Sequence, residues 1–95
     1  MKVIDFEDRM WYLLEHDDKR FIDVNCNHSA FGFSILINLN GKEEKSYLER
    51  GHSYLNELAT DFSYYALTKY KERDESRHYK TLVSKAIKSW KETKK

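Results

Sequence analysis

The sequence predicts an α+β fold in which three helices accompany a three-stranded antiparallel sheet, in the order α-β-β-β-α-α. Two central segments place apolar residues at every second position, as strands do. Three other segments repeat apolar residues at helical spacing. The chain of 95 residues contains no proline and three glycines, and nothing in it resembles a linker. We therefore expect a single domain over residues 1–95.

The first helix is predicted over residues 4–15. Phe6, Met10 and Leu13 recur at helical spacing. Acidic residues occupy the first turn, where the helix dipole favours negative charge.

Two strands are predicted next, over residues 20–27 and 31–39. A tight turn at residues 27–30 would pair Val24 with Phe33. With that register, the apolar side chains of both strands lie on one face of the sheet.

A third strand is predicted over about residues 42–50. The preceding Asn40-Gly41 pair suits a type I′ hairpin turn, because both central residues of that turn need positive φ. The segment is rich in charge, which suits an edge strand that must not pair with other chains. The predicted strand order is 1-2-3.

Two helices complete the predicted fold. Gly51 breaks the third strand, Ser53 is a suitable N-cap, and the second helix runs to about Lys71. The third helix covers about residues 75–92. The apolar stripes of the two helices differ by about 90° in orientation. A kink or a short turn near Asp74 would let both stripes reach one core, and the sequence leaves open whether the helices are separate.

Over residues 6–70 this order resembles the α-β-β-β-α layout of the double-stranded-RNA-binding domain. The closest stretch runs from Phe33 to Lys42 and continues through residues 49–53 into the second helix. In that family, lysines at the start of this helix hold phosphates across the major groove. Residues 53–56 are Ser, Tyr, Leu and Asn here, and the basic residues lie on the additional C-terminal helix.

Charge, cysteine content and the distribution of apolar residues limit which functions and compartments we expect for the protein. The net charge is +1, which argues against a protein that binds polyanions over its whole surface. Cys26 is the only cysteine, which fits a reducing compartment. The first residues carry acids where a signal peptide needs an apolar stretch, and the longest apolar stretch is too short to span a bilayer. We expect a cytoplasmic protein without a membrane partner.

The most suggestive surface is the third helix. Residues 77–95 carry seven basic side chains and one acidic one. Arg77, Lys80, Lys88 and Lys91 lie roughly opposite the apolar stripe, and Lys85 lies at its margin. Such a face can steer an acidic protein surface into contact or follow phosphates. The alternative is an ordinary solvated helix face.

Aromatic residues are the second unusual feature, with seven tyrosines and two tryptophans. Trp11, Tyr12, Tyr64 and Tyr70 do not all fit the central apolar stripes. Surface aromatics often anchor protein interfaces, although a small domain can also use tyrosines to cover its core. Tyr64 and Tyr70, together with the five basic residues of the third helix, are the predicted partner-binding residues.

No metal, cofactor or catalytic residue is predicted. Cys26 and His28 lie two residues apart and His52 lies on another turn, but their spacing does not match a zinc site. Residues 49–53 cluster titratable groups at a corner, yet no acid or base is tied to His52 by spacing. Residues 43–45 resemble the end of a nuclease strand without an evident acidic partner.

The favoured interpretation is therefore a small non-catalytic protein-binding module. Phage-encoded inhibitors of host defence or host enzyme complexes share this compact, motif-free profile. The alternative is a nucleic-acid-binding module that uses the basic C-terminal helix. The oligomeric state is not predicted.

Overall fold

The computed structural model describes residues 1–26 and 33–93. Within these residues it contains a four-stranded antiparallel sheet and three α helices, in the order β-β-β-β-α-α-α. The strands are β1 (Lys2–Glu7), β2 (Trp11–His16), β3 (Lys19–Cys26) and β4 (Phe33–Asn38). The helices are α1 (Gly41–Arg50), α2 (His52–Tyr64) and α3 (Ser76–Thr93), and a 3₁₀ turn at Lys71–Arg73 precedes α3. The predicted order α-β-β-β-α-α with three strands is wrong.

The helix predicted over residues 4–15 is instead the hairpin of β1 and β2. Arg9 makes the turn with a φ of 65°. In β2, Leu13 packs into one core and Leu14 into the other, so both faces of the strand are buried. A strand with two buried faces shows no alternation of apolar and polar residues, and the spacing then resembles a helix. Because the first 26 residues form strands, the layout does not match that of the double-stranded-RNA-binding domain.

The sheet has the strand order β1-β2-β3-β4. Strands β3 and β4 are antiparallel as predicted, but Val24 pairs with Ile35 instead of Phe33. This register differs from the predicted one by two residues. A shift of two keeps every side chain on its expected face. The tight turn predicted at residues 27–30 lies outside the described residues.

The predicted Asn40-Gly41 hairpin and the strand over 42–50 are also wrong, because this segment forms α1. Asn40 is the N-cap, and its Oδ1 accepts a hydrogen bond of 2.8 Å from the amide of Glu43. The Glu43 carboxylate accepts one of 2.9 Å from the amide of Asn40. This reciprocal capping box starts a helix where the sequence suggested a turn.

The ends of the later helices differ partly from the prediction. Gly51, with a φ of 71°, separates α1 from α2 and is the N-cap of α2 in place of Ser53. Helix α2 ends at Tyr64, well before the predicted Lys71. The sequence left open whether the last two helices are separate, and the structure separates α2 from α3 by residues 65–75. The Asp74 carboxylate accepts hydrogen bonds of 3.0 Å from the amides of Ser76 and Leu36.

The sheet is covered on both faces, which gives the domain two cores. One core contains residues of β2, β3 and β4 together with Leu55, Ala59 and Phe62 of α2. The other contains Val83 and Ala86 of α3 packed on the opposite face of the sheet. Across the parts of the chain that the structure describes, none of the helices combines the length and apolar character needed to cross a bilayer.

Candidate functional site

Two surfaces contain the predicted partner-binding residues other than Tyr70. The first is the tyrosine patch, which we define as Tyr64, Tyr65 and Met10. The side chain of Tyr64 is 75% exposed at the C-terminal end of α2. Its ring meets the ring of Tyr65 edge-on, at a centroid distance of 4.7 Å. The buried stripe of α2 ends at Phe62, and Tyr64 falls outside that stripe.

The tyrosine patch borders a cavity of about 520 Å³. It is lined by Met10, in the turn between β1 and β2, by Thr60 and Tyr64 of α2, and by the polar residues Arg9, Asn25 and Ser63. Val24 and Ala59, both buried, also line it. Met10 and Tyr64 therefore lie at a concave surface, and pockets of this kind can receive anchoring side chains of a partner protein.

A cation lies beside the patch. The Nζ atom of Lys69 is 5.6 Å from the ring centroid of Tyr65 and 5.2 Å from that of Tyr70. These distances are within the range of cation–π contact. The patch thus combines aromatic rings with positive charge.

Tyr70, also predicted as a partner-binding residue, is buried in the core. Its ring packs against Phe62 at a centroid distance of 4.6 Å, and its hydroxyl donates a hydrogen bond to the Asp61 carboxylate. Trp11 is buried as well, and its Nε1 donates a hydrogen bond of 2.9 Å to Asn56 Oδ1. Both side chains are explained by packing and hydrogen bonding, so the proposals below do not use them.

The second surface lies along α3. The five basic side chains predicted to bind a partner are all exposed: Arg77, Lys80, Lys85, Lys88 and Lys91. Three of them line a groove of about 600 Å³ between α3 and the sheet, and Arg77 and Lys85 are not among its lining residues. We call this the basic groove. It is lined by Lys80, Lys88 and Lys91, by the apolar residues Leu36, Val83 and Ile87, and by Asp23, Ser34, Ser76, Ser84 and Glu92.

Asp23 gives the basic groove an unusual carboxyl group. Burial raises its pKa to about 6, the hydroxyl of Ser34 lowers it by hydrogen bonding, and the carboxylate of Asp74 raises it. Near neutral pH this group therefore takes up a proton more readily than an exposed aspartate does. The sequence showed only a polar residue alternating with apolar neighbours in β3. Its place in a groove depends on how α3 packs, which the sequence did not reveal.

The residues considered for catalysis have structural partners. His52 Nδ1 lies 3.0 Å from Asp5 Oδ1, and Nε2 lies 2.8 Å from Glu7 Oε2, so both ring nitrogens are occupied. These hydrogen bonds raise the pKa of His52, that with Glu7 most. The Ser53 hydroxyl donates to the carbonyl of Arg50 over 3.3 Å. The cluster thus joins β1 to the start of α2.

The residues considered for metal binding are Cys26, His28 and His52. Cys26 is fully buried in the core of the sheet, and burial raises the pKa of its thiol. His28 lies outside the described residues. Among residues 1–26 and 33–93, no group of three His, Cys, Asp or Glu side chains is arranged to hold a metal ion.

Comparison of the chain with protein-family models, with curated proteins and with solved structures finds no match.

Proposed function

We propose that the protein is a small non-catalytic protein-binding module whose partner contacts the tyrosine patch. The exposure of Tyr64 carries this proposal. Large aromatic side chains are enriched at protein interfaces, where their burial supplies much of the binding energy. The two cores bury most large apolar residues. Tyr64, Tyr65 and Met10 are among the large apolar residues that stay exposed, together with Ile4, Leu48, Leu67 and Leu82, and Tyr64 is the most exposed of them.

The proposed action is occlusion of a surface on the partner. A domain of 95 residues can cover an interface of standard size, about 800 Å² on each partner. A protein that acts in this way needs a surface that complements the partner in shape and charge, and it needs no reactive group. We therefore propose an inhibitor or adaptor in the cytoplasm, of the kind that phages use against host defence or host enzyme complexes.

Affinity capture tests this proposal. The tagged protein is incubated with a nuclease-treated bacterial lysate, retained proteins are identified, and the interaction is reconstituted from purified components. We expect Tyr64→Ser to lose the retained protein. Leu48→Ser is the matched control, because Leu48 is 71% exposed on α1 and does not line the cavity beside the patch. Equal retention by the two variants, or no protein retained by the wild type, would refute the proposal.

Nucleic-acid binding by α3 is the second candidate. The observation that favours it is the exposure of five basic side chains on one helix whose only acidic residue is Glu92. Lysines spaced along a helix can follow phosphates, with an affinity that falls steeply as salt increases. We expect a Lys80→Glu, Lys88→Glu variant to lose such binding while keeping its circular dichroism spectrum. Binding that does not depend on salt would exclude this candidate.

A further inference from the structure

The basic groove has the length of a short peptide. Lys80 and Lys91 are eleven residues apart on α3, which corresponds to about 16 Å along a helix axis. An extended segment of about five residues covers that distance. Ser34 and Leu36 of β4 line the groove together with α3. A segment lying parallel to α3 would therefore contact both elements.

The charge of the groove selects an acidic occupant. No ion pair joins Lys80, Lys88 or Lys91 to an acidic side chain anywhere in the described part of the chain. Two acidic residues, Asp23 and Glu92, also line the groove. Three cations therefore face two acids, and burial of Asp23 disfavours its charged form. Carboxylates of a ligand would complement the remaining positive charge.

The apolar part of the groove favours a peptide over a nucleic acid as the ligand. Leu36, Val83 and Ile87 offer a surface that aliphatic side chains fill and a phosphate backbone does not. Binding of single-stranded nucleic acid usually adds stacking of bases on exposed aromatic rings. The nearby ring of Trp90 already packs against Phe6, at a centroid distance of 4.6 Å. The groove therefore fits a ligand that alternates acidic and aliphatic groups.

We infer that the basic groove binds an acidic segment of the partner protein. Carboxylates of that segment pair with Lys80, Lys88 and Lys91, and its aliphatic side chains cover the apolar part of the groove. This inference rests on the proposed protein-binding function and adds a second contact surface, on the face of the sheet opposite α2. The tyrosine patch would then recognise a different part of the same partner.

Fluorescence anisotropy with defined probes tests the inference. The probes are labelled peptides of alternating Glu and Leu, the same peptides with Gln in place of Glu, and oligothymidylate of equal charge. We expect the Glu-Leu peptide to bind most tightly. Equal binding of the Gln-Leu peptide would show that charge is not recognised, and tighter binding of the oligonucleotide would show a phosphate site. Either result, or no binding of the Glu-Leu peptide, overturns the inference.

Matched variants locate the bound peptide. Substitution of Lys80, Lys88 and Lys91 by alanine should weaken binding of the Glu-Leu peptide about tenfold, as expected for three partly exposed ion pairs. The control variant replaces three exposed lysines outside the groove and away from α3, and it loses the same charge: Lys19, Lys42 and Lys45. It should change the affinity less than about twofold. Equal loss in both variants would mean nonspecific attraction to net charge and would overturn the inference.

The pH dependence of binding, through Asp23, tests independently whether the peptide lies in the basic groove. Its surroundings include the carboxylates of Asp74, Glu92 and Asp8 and the cations of the groove and of Arg9. Protonation of Asp23 as the pH falls from about 7 to about 5 should strengthen peptide binding about two- to fivefold. The Asp23→Asn variant should lack this change. An unaltered pH dependence in that variant would place the peptide elsewhere and overturn the inference.

The two proposals can fail separately. If Tyr64→Ser loses a captured protein but the Glu-Leu peptide does not bind, the groove inference is wrong and the protein-binding proposal stands. If the peptide binds in the groove but no protein is captured from the lysate, the proposal for the tyrosine patch is wrong.

Discussion

Arg73 and Glu43 form an ion pair with two parallel hydrogen bonds. Arg73 Nη1 donates to Glu43 Oε2 over 2.9 Å, and Nη2 donates to Oε1 over 2.6 Å. Nη2 also donates to the carbonyl of Asn38 over 3.1 Å. Glu43 Oε1 in turn accepts the amide of Asn40. The pair therefore joins the end of β4, the start of α1 and the turn that leads into α3.

Loss of this pair should destabilise the whole domain. In Arg73→Met the Glu43 carboxylate, 11% exposed, would lose its cation and remain a buried charge. Breaking a fully buried pair costs about 3–5 kcal/mol. Because the Arg73 side chain is 32% exposed, we expect about 2–3 kcal/mol less free energy of unfolding in urea titrations. Lys71→Met, at an exposed position in the same turn, is the control. An equal effect of both substitutions would contradict the expectation.

The elements predicted correctly from the sequence are those with one buried face, in which apolar residues recur at regular spacing. Helix α3, predicted over 75–92 and found over Ser76–Thr93, buries one stripe and exposes the rest. Strands β3 and β4 were recognisable because polar residues such as Asp23 and Ser34 alternate with apolar ones. The hairpin of β1 and β2 was not recognisable from the sequence, because helices cover both faces of its second strand.

The candidate surfaces were less predictable because they depend on packing. The basic residues of α3 follow from helical spacing, but the groove beneath them exists only where α3 meets β3 and β4. The tyrosines illustrate the same limit. In a helix extended to Lys71, Tyr64 would lie opposite the buried stripe and Tyr70 at its margin, four residues after Ala66. Helix α2 instead ends at Tyr64, and Tyr70 lies in the core.

The two tyrosines should therefore differ sharply in their effect on stability. Tyr70→Ala removes a ring that packs on Phe62 and should cost about 3–4 kcal/mol. Tyr64→Ala removes an exposed ring and should change the free energy of unfolding by less than about 0.5 kcal/mol. Urea unfolding monitored by circular dichroism measures both variants. Similar losses in the two would show that Tyr64 is a structural residue and would weaken its proposed role as an anchor.

His52 should make stability depend on pH above neutrality. Its hydrogen bonds with Glu7 and Asp5 raise its pKa above the ordinary value of 6.5, so the folded state favours the charged ring. The stabilisation is complete below pH 6.5 and is lost as the pH rises through the raised pKa. Because the side chains are partly exposed, we expect a loss of at most about 1 kcal/mol.

Thermal unfolding over this pH range, followed for two histidine variants, tests the assignment. The His52→Gln variant should lose this pH dependence. His78→Gln, at an exposed position on α3, should keep the pH dependence of the wild type. If both variants behave like the wild type, the ion pairs of His52 contribute nothing measurable to folding.

Asp23 should make the free energy of unfolding depend on pH in a lower pH range. Its pKa is raised from 3.8 to about 6, so the folded state holds this proton more tightly than the unfolded chain. Its contribution to stability is complete below pH 3.8 and is lost as the pH rises through about 6. Asp23→Asn should therefore be more stable than the wild type at neutral pH, by about 1–3 kcal/mol.

The exposed residue Asp8 provides the control for this prediction, because Asp8→Asn changes the net charge equally without removing a buried carboxylate. Urea unfolding at about pH 4 and about pH 7 should show a gain for Asp23→Asn only at the higher pH. A loss of stability at neutral pH would mean that the Asp23 carboxylate is held by the cations of the basic groove. In that case the groove carries less free positive charge, and its affinity for an acidic segment should be lower than proposed.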